Sequence, residues 1–448
     1  MRILFLENRQ KTYLWEHVAL RLQADGHDIT WVIQNHGFKP NLEVGKVVAI
    51  PYPTALQLSQ QSSADLNFIR SSDRNINYFK GNDRHYRYYD EAIHRILRDE
   101  APDIVFGEGT LFHELLFIRN CRQMGIPYLN PSTCRYPTGR FSFYEFDTLE
   151  PFQGSKECLP RTEVASIIER ISNRSVQPDY MQQKRRNTRA QLIFEKLRLT
   201  RHYLLGERFN TPSPVIKNAL ERRLHNDKSN WESFALKEVP TNDRFKILYA
   251  LQMQPEANLD VWGNRYRNQS KLLRSLAQHT DSQTEILVKP NPKSKYELFD
   301  LLGCIRSTER LLPLSHCLSM GPVFSQADLV VAVTGTVAIE AILCGKPVVS
   351  LIRTLNNNAN GCVYLENLDN LPAIVDSVRK GEFPLMSLDE RIDFLQLLCK
   401  TSYRGRIADP FNDPSSIDAE NIDHLHAAFS DVLSALSSGD WTTVRPIP

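Results

Sequence analysis

A chain of 448 residues is too long for one hydrophobic core, and at about 150 residues per domain it predicts two or three domains. Apolar residues (42%) and charged residues (24%) occur at ordinary globular frequencies, which excludes disordered, collagen-like and coiled-coil chains. The 54 Lys and Arg residues nearly balance the 52 Asp and Glu residues, so nucleic-acid binding would need a local basic patch.

The cysteines and the first residues predict the cellular compartment. The eight cysteines form no CxxC or CxxH pair, which argues against a zinc site and a secreted disulfide framework and favours reduced thiols. The first apolar run, at residues 3–6, is too short for a signal peptide, and no stretch approaches the ~18 apolar residues of a membrane span. We therefore expect a cytoplasmic protein, with peripheral contact to the inner membrane left open.

The first third of the chain alternates strands with helices. The apolar patterns predict strands at 3–6, 27–34, 46–50, 103–106 and 126–129, and helices at 14–25 and 112–124. Glycines stand where both helices should end. This order is typical of right-handed βαβ units and a parallel sheet, so we predict a Rossmann-like domain over residues 1–160.

Residues 161–240 are basic, with 16 Lys and Arg against 9 Asp and Glu. Helical spacing extends from 182 to 205 and includes Lys184, Arg185 and Arg186. A solvated helical linker and a surface for anionic phospholipid or a polyanionic sugar both fit this pattern. Nucleic acid fits less well, because aromatic residues are not interleaved as stacking platforms. We predict a basic helical insert and no nucleic-acid partner.

A second α/β pattern follows the insert. It predicts strands at 245–251, 285–289, 329–333 and 347–351, and helices at 266–279 and 337–343. We therefore predict an α/β fold of two doubly wound, Rossmann-like domains facing a central cleft. The second domain covers 241–375, and C-terminal helices at 376–448 are expected to pack back across both domains.

Three polar loops follow strands of the second domain, at 254–260, 289–292 and 334–336. The carboxyl ends of parallel strands share one edge of the sheet, where such folds bind ligands. In the last loop, Gly335 allows close backbone approach, and hydroxyl and N–H groups at the following helix start can hold a phosphate. Each loop alone also fits a rigid polar turn or a helix cap. Together they predict a pocket for the phosphate of a nucleotide.

These loops carry a resemblance to a known family. Gln254-Pro255-Glu256, Lys289-Pro-Asn-Pro292 and Thr334-Gly-Thr-Val-Ala-Ile-Glu-Ala341 with Gly345-Lys-Pro347 resemble the capsule polysaccharide biosynthesis family. Residues 107–113, 125–128 and 135–140 are similar to N-terminal elements of that family. The family includes the Kdo transferases of bacterial capsule assembly and has a GT-B architecture. The resemblance covers residues 1–20, 103–145 and 245–352.

The resemblance implies a glycosyltransferase of surface polysaccharide synthesis. Its donor is a nucleotide sugar such as CMP-Kdo, its acceptor is a glycan or glycolipid, and it needs neither a metal nor another cofactor. In the family, a Lys-x-His-Pro loop and a Ser/Thr-Gly-Thr loop hold the donor phosphate. The implied donor-binding residues are Gln254, Lys289, Asn291, Pro292, Thr334, Gly335, Thr336 and Glu340. Position 291 departs from the family, because asparagine can donate a hydrogen bond but cannot carry a proton.

Glycosyl transfer also needs a carboxylate that takes the proton of the acceptor hydroxyl. Glu108 follows an N-terminal strand and is the predicted base, although a helix cap or an arginine partner also fits it. Glu256 and Asp260 are predicted to stabilise the positive sugar or bind the donor, or to supply a nucleophile if configuration is retained. Arg135 and Arg140 suit an acidic acceptor and equally suit a charged surface loop.

Two other functions remain open. A nucleotide-sugar 2-epimerase shares the two-domain fold, and a non-catalytic capsule assembly or export protein would tolerate Asn291. A dehydrogenase is disfavoured because no GxGxxG follows a strand, and a serine hydrolase because GxSxG is absent.

Overall fold

The computed structural model describes residues 1–59, 64–178, 181 and 187–439, in two compact units. Unit 1 comprises Met1–Cys158, Pro178–Pro214 and Cys399–Pro448, and unit 2 comprises Leu159–Gln177 and Val215–Leu398. The basic middle segment and the C-terminal segment are therefore each divided between the two units.

The elements alternate along most of the chain. The N-terminal elements are β1 (Arg2–Leu6), α1 (Thr12–Ala24), β2 (Asp28–Ile33), β3 (Lys46–Ala49), α2 (Asn67–Ser72), α3 (Arg74–Phe79), α4 (Tyr86–Glu100), β4 (Ile104–Phe106), α5 (Phe112–Met124), β5 (Tyr128–Thr133) and β6 (Arg140–Glu145). The middle elements are α6 (Arg161–Ser172), α7 (Arg189–Leu205) and α8 (Pro214–Glu232). The remaining elements are β7 (Phe245–Ala250), α9 (Gln269–Gln278), β8 (Thr284–Lys289), α10 (Leu301–Arg306), β9 (Leu311–Pro313), α11 (Met320–Gln326), β10 (Leu329–Ala332), α12 (Thr336–Leu343), β11 (Val348–Ser350), β12 (Cys362–Tyr364), α13 (Leu371–Arg379), α14 (Leu388–Lys400), β13 (Tyr403–Arg404) and α15 (Ala419–Ser437).

Unit 1 is built on a seven-stranded sheet in the order β13-β6-β5-β4-β1-β2-β3. The five strands from β5 to β3 run parallel, whereas β6 is antiparallel to both β5 and β13. The sheet is thus mixed rather than wholly parallel as predicted. The connection between β5 and β6 has six residues, too few for the crossover that a parallel pair requires.

Aromatic side chains fill the core of unit 1. The ring of Phe5 stacks on Trp31 at 5.1 Å and on Phe106 at 5.5 Å between ring centroids. Phe429 of α15 lies 4.6 Å from Phe106, so the C-terminal helix covers the same sheet. Such ring pairs stabilise a core beyond their buried area.

Unit 2 is built on six parallel strands in the order β12-β11-β10-β7-β8-β9. Tyr249 of β7 is in register with Val288 of β8 on one side and Val331 of β10 on the other. The carboxyl ends of these three central strands therefore meet at one edge of the sheet.

The predicted fold class, two Rossmann-like α/β units with helices in the middle of the chain and at its C-terminus, is confirmed. The helix predicted from 182 begins at Arg189. Residues 182–186 of that prediction, and 440–448 of the C-terminal one, lie outside the described residues. No described helix is both long enough and apolar enough to span a membrane.

Candidate functional site

The three polar loops predicted from the sequence follow β7, β8 and β10, the three central strands of unit 2. The loop after β9, at residues 315–316, lies at the same edge and contacts the loop after β8. We call residues 252–260, 289–294, 315–316 and 334–336 the polar edge.

Side-chain hydrogen bonds join the loops after β7 and β10. The Nε2 group of Gln252 donates to the carbonyl oxygen of Thr334 at 3.1 Å. The hydroxyl of Thr334 lies 3.4 Å from Oε1 of Gln252 and 3.3 Å from the carbonyl oxygen of Asn258. Buried polar groups paired in this way hold two loops in one arrangement.

Gly335 links β10 to α12 in a conformation that favours glycine. Its φ angle is 96°, and a Cβ atom there would lie 3.0 Å from Oε1 of Gln252. Helix α12 begins at the next residue, Thr336, so its first backbone N–H groups have no partner within the helix. These groups and the hydroxyl of Thr336 form an arrangement that suits an anion.

Asp260 anchors the loop after β7. Its Oδ1 atom accepts hydrogen bonds from Nε2 of Gln254 at 2.9 Å and Nε of Arg267 at 3.0 Å. Its Oδ2 atom accepts from the backbone N–H of Glu256 at 3.1 Å. Asp260 is thus a buried carboxylate held within its own loop, and the catalytic or sugar-stabilising role predicted for it stays a prediction.

Glu256 and Gln254 occupy different environments in this loop. Glu256 is partly exposed, and its Oε1 atom lies 3.8 Å from Nζ of Lys295. Gln254 is buried, and its Oε1 atom accepts from Nε2 of Gln269 at 3.1 Å. Glu256 is therefore the accessible carboxylate of the loop, whereas the side chain of Gln254 is engaged with Asp260 and Gln269.

Lys289 ends β8 with its ammonium group buried at the polar edge. Its Nζ atom donates to the carbonyl oxygens of Pro290 at 3.1 Å and His316 at 3.2 Å. Burial lowers the pKa of Lys289 to about 8. A cation held among carbonyl oxygens away from water is stabilised further by any anion that reaches it.

Asn291 and Pro292 form the outer part of the loop after β8. The Oδ1 atom of Asn291 accepts from the backbone N–H of Lys293 at 2.8 Å, a local turn contact. Pro292 is exposed. The side-chain oxygen of Asn291 is therefore engaged in a local turn. In the family that the sequence resembles, this position carries histidine.

His316, which follows β9, is a polar-edge residue that the sequence reasoning missed. Its Nε2 atom lies 3.0 Å from Oγ of Ser294, and its Nδ1 atom lies 2.5 Å from Oε1 of Glu232. Burial lowers the pKa of His316, although Glu232 acts in the opposite direction. A side chain that can carry a proton thus stands beside the loop that contains Asn291.

Glu340 lies on the side of α12 that faces α6. Its Oε2 atom is 2.6 Å from Nη1 of Arg174, whose Cζ atom lies 4.2 Å from the ring centre of Phe324. The carboxylate is thus paired within unit 2, and its donor-binding role stays a prediction.

Glu108 lies in unit 1, two residues after β4, with its side chain 20% exposed. Its carboxylate forms an ion pair with the ammonium group of Lys11. Burial acts to raise the pKa of Glu108, but the charge and hydrogen bond of Lys11 outweigh it and the pKa is lowered. The group is therefore ionised at neutral pH, and its role as the base stays a prediction.

Glu114, in the first turn of α5, is a second carboxyl group that the sequence reasoning missed. It accepts from the backbone N–H groups of Thr110 at 2.8 Å and Leu111 at 2.7 Å, and from Nδ2 of Asn8 at 3.2 Å. Burial and the negative charge of Glu108 raise the pKa of Glu114. Neighbouring carboxyl groups with opposite pKa shifts are typical of acid–base pairs.

The two arginines predicted to bind an acceptor have different surroundings. Arg140 is 5% exposed; its Nη1 atom lies 2.6 Å from Oε2 of Glu157, and its Nη2 atom donates to the carbonyl oxygens of Cys399 and Ser402, both at 2.9 Å. Arg140 therefore ties β6 to the C-terminal segment, and its acceptor-binding role stays a prediction. Arg135 is partly exposed in the loop before β6, and its role stays a prediction.

Within the described ranges, no three His, Cys, Asp or Glu side chains lie close enough together to hold a metal ion.

Comparisons with known proteins give structural likeness alone. No family model and no curated protein matches the chain. The UDP-GlcNAc 2-epimerase of Methanocaldococcus jannaschii in complex with UDP-GlcNAc and UDP is 12% identical, covers 89% of this chain and 99% of its own, and has a TM-score of 0.31. The UDP-GlcNAc 2-epimerase of Neisseria meningitidis bound to UDP-GlcNAc is 13% identical over 97% of this chain and 100% of its own, with a TM-score of 0.30. The calicheamicin glycosyltransferase CalG4 is 15% identical over 100% of this chain and 99% of its own, with a TM-score of 0.29. At these identities and TM-scores, none of the likenesses assigns an activity to this chain.

Proposed function

We propose that this protein is a glycosyltransferase that binds a nucleotide-sugar donor at the polar edge of unit 2. The observation that carries this proposal is the junction of Gln252 with Thr334, which fixes the glycine turn before α12 next to the loop after β7. Because β8 is the neighbour of β7, the ammonium group of Lys289 ends at the same edge. A phosphate needs such N–H, hydroxyl and cationic partners.

His316 supplies the proton-carrying group of this proposal. Glu232 accepts the hydrogen bond of its Nδ1–H group, which leaves Nε2 directed at Ser294. An anionic phosphate nearby would raise the pKa of His316 and so favour the doubly protonated, donating form. His316, which follows the next strand, β9, thus takes the part of the histidine that the family resemblance places at 291.

Glu108 is the proposed base for the transfer step. Its ionised carboxylate takes the proton of the acceptor hydroxyl while that oxygen bonds to the anomeric carbon and the nucleotide leaves with the electrons of the broken bond. We further propose that the donor is CMP-Kdo and that the acceptor is a glycan or glycolipid of capsule or surface polysaccharide synthesis. The family resemblance of the three polar-edge loops supports this finer assignment.

Incubation with sugar nucleotides tests the proposal. Purified protein is given CMP-Kdo or UDP-GlcNAc, with and without a glycolipid extract from a capsule-forming bacterium, and nucleotide release is measured. We expect release that depends on the acceptor, and we expect Glu108→Gln to abolish it while nucleotide binding is retained. Conversion of UDP-GlcNAc to its 2-epimer without acceptor would identify an epimerase instead. Binding without turnover of either donor would favour a non-catalytic assembly protein.

A further inference from the structure

Helix α7 of unit 1 exposes an unusual amount of apolar surface. No side chain of this helix is buried. Six large apolar side chains are exposed to between 48% and 71%: Leu192, Ile193, Phe194, Leu197, Leu204 and Leu205. Single exposed apolar residues are ordinary, but six on one helix mark a surface that another molecule covers.

The opposite side of α7 attaches the helix to unit 1 through polar contacts. Nη1 of Arg198 donates to the hydroxyl of Tyr13 at 2.9 Å, and its Nη2 lies 2.6 Å from Oε1 of Glu195. The guanidinium group of Arg198 also lies 4.4 Å from the ring centre of Phe38. Glu195 in turn accepts a hydrogen bond from Gln10. The helix is therefore held by its inner face, and its outer face is fixed outward.

The outer face has an ordered pattern of side chains. At about 100° per residue, Ile193, Leu197 and Leu204 lie within about 40° of one another, opposite the attached face. Arg189 and Lys196 project about 60–80° to one side of this apolar stripe, and Arg201 projects about 60° to the other. All three cations are exposed. The exposed Phe194 and Leu205 project about 80–100° to the side of Arg201, so the outer face combines apolar side chains with three cations, as a helix in a membrane interface does.

The charges of this face distinguish a membrane from a second copy of the chain. Glu195 is the only acidic residue of α7, and it is turned inward and paired with Arg198. Two copies joined through this face would bring the cations of each α7 against those of the other. Anionic phospholipid headgroups, in contrast, offer the opposite charge above an apolar layer.

We propose that α7 is a membrane-docking helix that lies in the surface of a bilayer containing anionic phospholipid. Ile193, Leu197 and Leu204 enter the boundary between headgroups and acyl chains. Arg189, Lys196 and Arg201 extend their apolar stems along the helix and place their charges among the headgroup phosphates. This surface belongs to unit 1, and its function does not depend on the nature of the ligand at the polar edge.

Vesicle sedimentation of the full chain tests the proposal. The vesicles contain either phosphatidylcholine alone or equal parts of phosphatidylcholine and phosphatidylglycerol. We expect the protein to sediment with the anionic vesicles at least about tenfold more strongly, and the difference to shrink as salt screens the charges. Equal binding to both vesicle types, or binding to neither, would overturn the proposal.

Two variants separate the contributions of the apolar side chains and of the cations to vesicle binding, and a third serves as a control. The double variant Ile193→Glu/Leu197→Glu is expected to lose vesicle binding, and Arg189→Gln/Lys196→Gln/Arg201→Gln is expected to lose the preference for anionic vesicles. The matched control is Leu385→Glu/Leu388→Glu, two exposed leucines of unit 2, which should bind as the unchanged protein does. Circular dichroism melting verifies that each variant is folded.

Analytical ultracentrifugation without lipid tests the alternative that the outer face of α7 joins two copies of the chain. We expect the mass of the unchanged protein and of Ile193→Glu/Leu197→Glu to be the same. A dimer that the double variant dissociates, together with absence of vesicle binding, would assign this face to self-association and contradict the membrane proposal. Vesicle binding that survives both outer-face variants would also contradict it.

Discussion

The Nδ1 atom of His316 lies 2.5 Å from Oε1 of Glu232, and the backbone N–H of His316 donates to the same oxygen at 2.8 Å. This double contact fixes the orientation and the tautomer of the imidazole ring. It gives the polar edge a titratable side chain although position 291 carries asparagine.

The first prediction compares His316 with Asn291. His316→Gln should weaken nucleotide binding by about 1–3 kcal/mol, or about 5- to 160-fold in Kd, because a hydrogen bond to a charged phosphate is lost. Asn291→Ala should weaken it by less than about fivefold, since the Asn291 oxygen is used in a local turn. Calorimetric titration with CMP, UDP and GDP measures both, and the reverse order of effects would contradict the assignment of His316.

The second prediction concerns the glycine turn before α12. Gly335→Ala should lower the free energy of unfolding by about 1–3 kcal/mol, because alanine disfavours a φ of 96° and its Cβ would crowd Gln252. The control is Gly303→Ala in α10, where no described atom lies within 4 Å of the added Cβ. That change should raise the free energy of unfolding by about 0.5–1 kcal/mol. Urea denaturation compares the two, and an unchanged stability for Gly335→Ala would show that the turn is not strained.

The third prediction is a pH dependence. Burial and the positive charge of Arg9 lower the pKa of His113 to about 3, whereas the pKa of a histidine in the unfolded chain is about 6.5. As the pH falls below 6.5, the unfolded chain binds a proton at this histidine that the folded chain does not. Protonation therefore favours the unfolded state, and His113 lowers the free energy of unfolding progressively between pH 6.5 and 3. At pH 5 the loss is about 2 kcal/mol.

The variant His113→Gln isolates that contribution. Buried acids such as Glu7, whose pKa burial raises to about 7, act in the opposite direction, so total stability alone is not informative. From pH 7 to 5, the variant should lose about 2 kcal/mol less of its free energy of unfolding than the unchanged protein. Urea denaturation at the two pH values measures this difference. An equal loss in the variant and in the unchanged protein would contradict the burial of a neutral His113.

The fourth prediction separates a structural from a binding role for Arg140. Arg140→Ala should lower the free energy of unfolding by about 1–3 kcal/mol, because it removes the donor to the buried carbonyl oxygens of Cys399 and Ser402. Arg404, the other arginine paired with Glu157, has a side chain that is 60% exposed. Arg404→Ala should therefore lower the free energy of unfolding by no more than about 1 kcal/mol. Thermal unfolding measures both. Similar small losses for the two variants would contradict the structural role of Arg140.

The sequence predicted those features that local patterns determine. Continuous apolar runs such as 329–333 became buried parallel strands, and the turn at Gly335 lies where the strand and helix signals meet. Strand β9, Leu311–Pro313, was missed because a proline interrupts its short apolar run, and proline within a run argues against a strand. His316 was missed with it, since a residue is placed at the polar edge only if its strand is known.

Long-range partners are another feature that the sequence did not reveal. Arg140 bonds to Ser402, 262 positions away, and Glu340 bonds to Arg174, 166 positions away. No spacing rule reveals such pairs, so both residues read as free charges in the sequence. Asp260 and Arg267 are only seven positions apart, but the turn that joins them follows no regular helix or strand spacing.

Calorimetric titration of the double variant Thr334→Ala/Thr336→Ala tests the central claim most directly. The unchanged protein should bind one of CMP, UDP and GDP, and the double variant should bind it about 5- to 160-fold more weakly. The matched control, Thr241→Ala/Thr308→Ala, alters threonines that precede β7 and β9 at the opposite edge of the sheet and should bind as the unchanged protein does. Equal affinity of the folded double variant and the unchanged protein would contradict nucleotide binding at the polar edge.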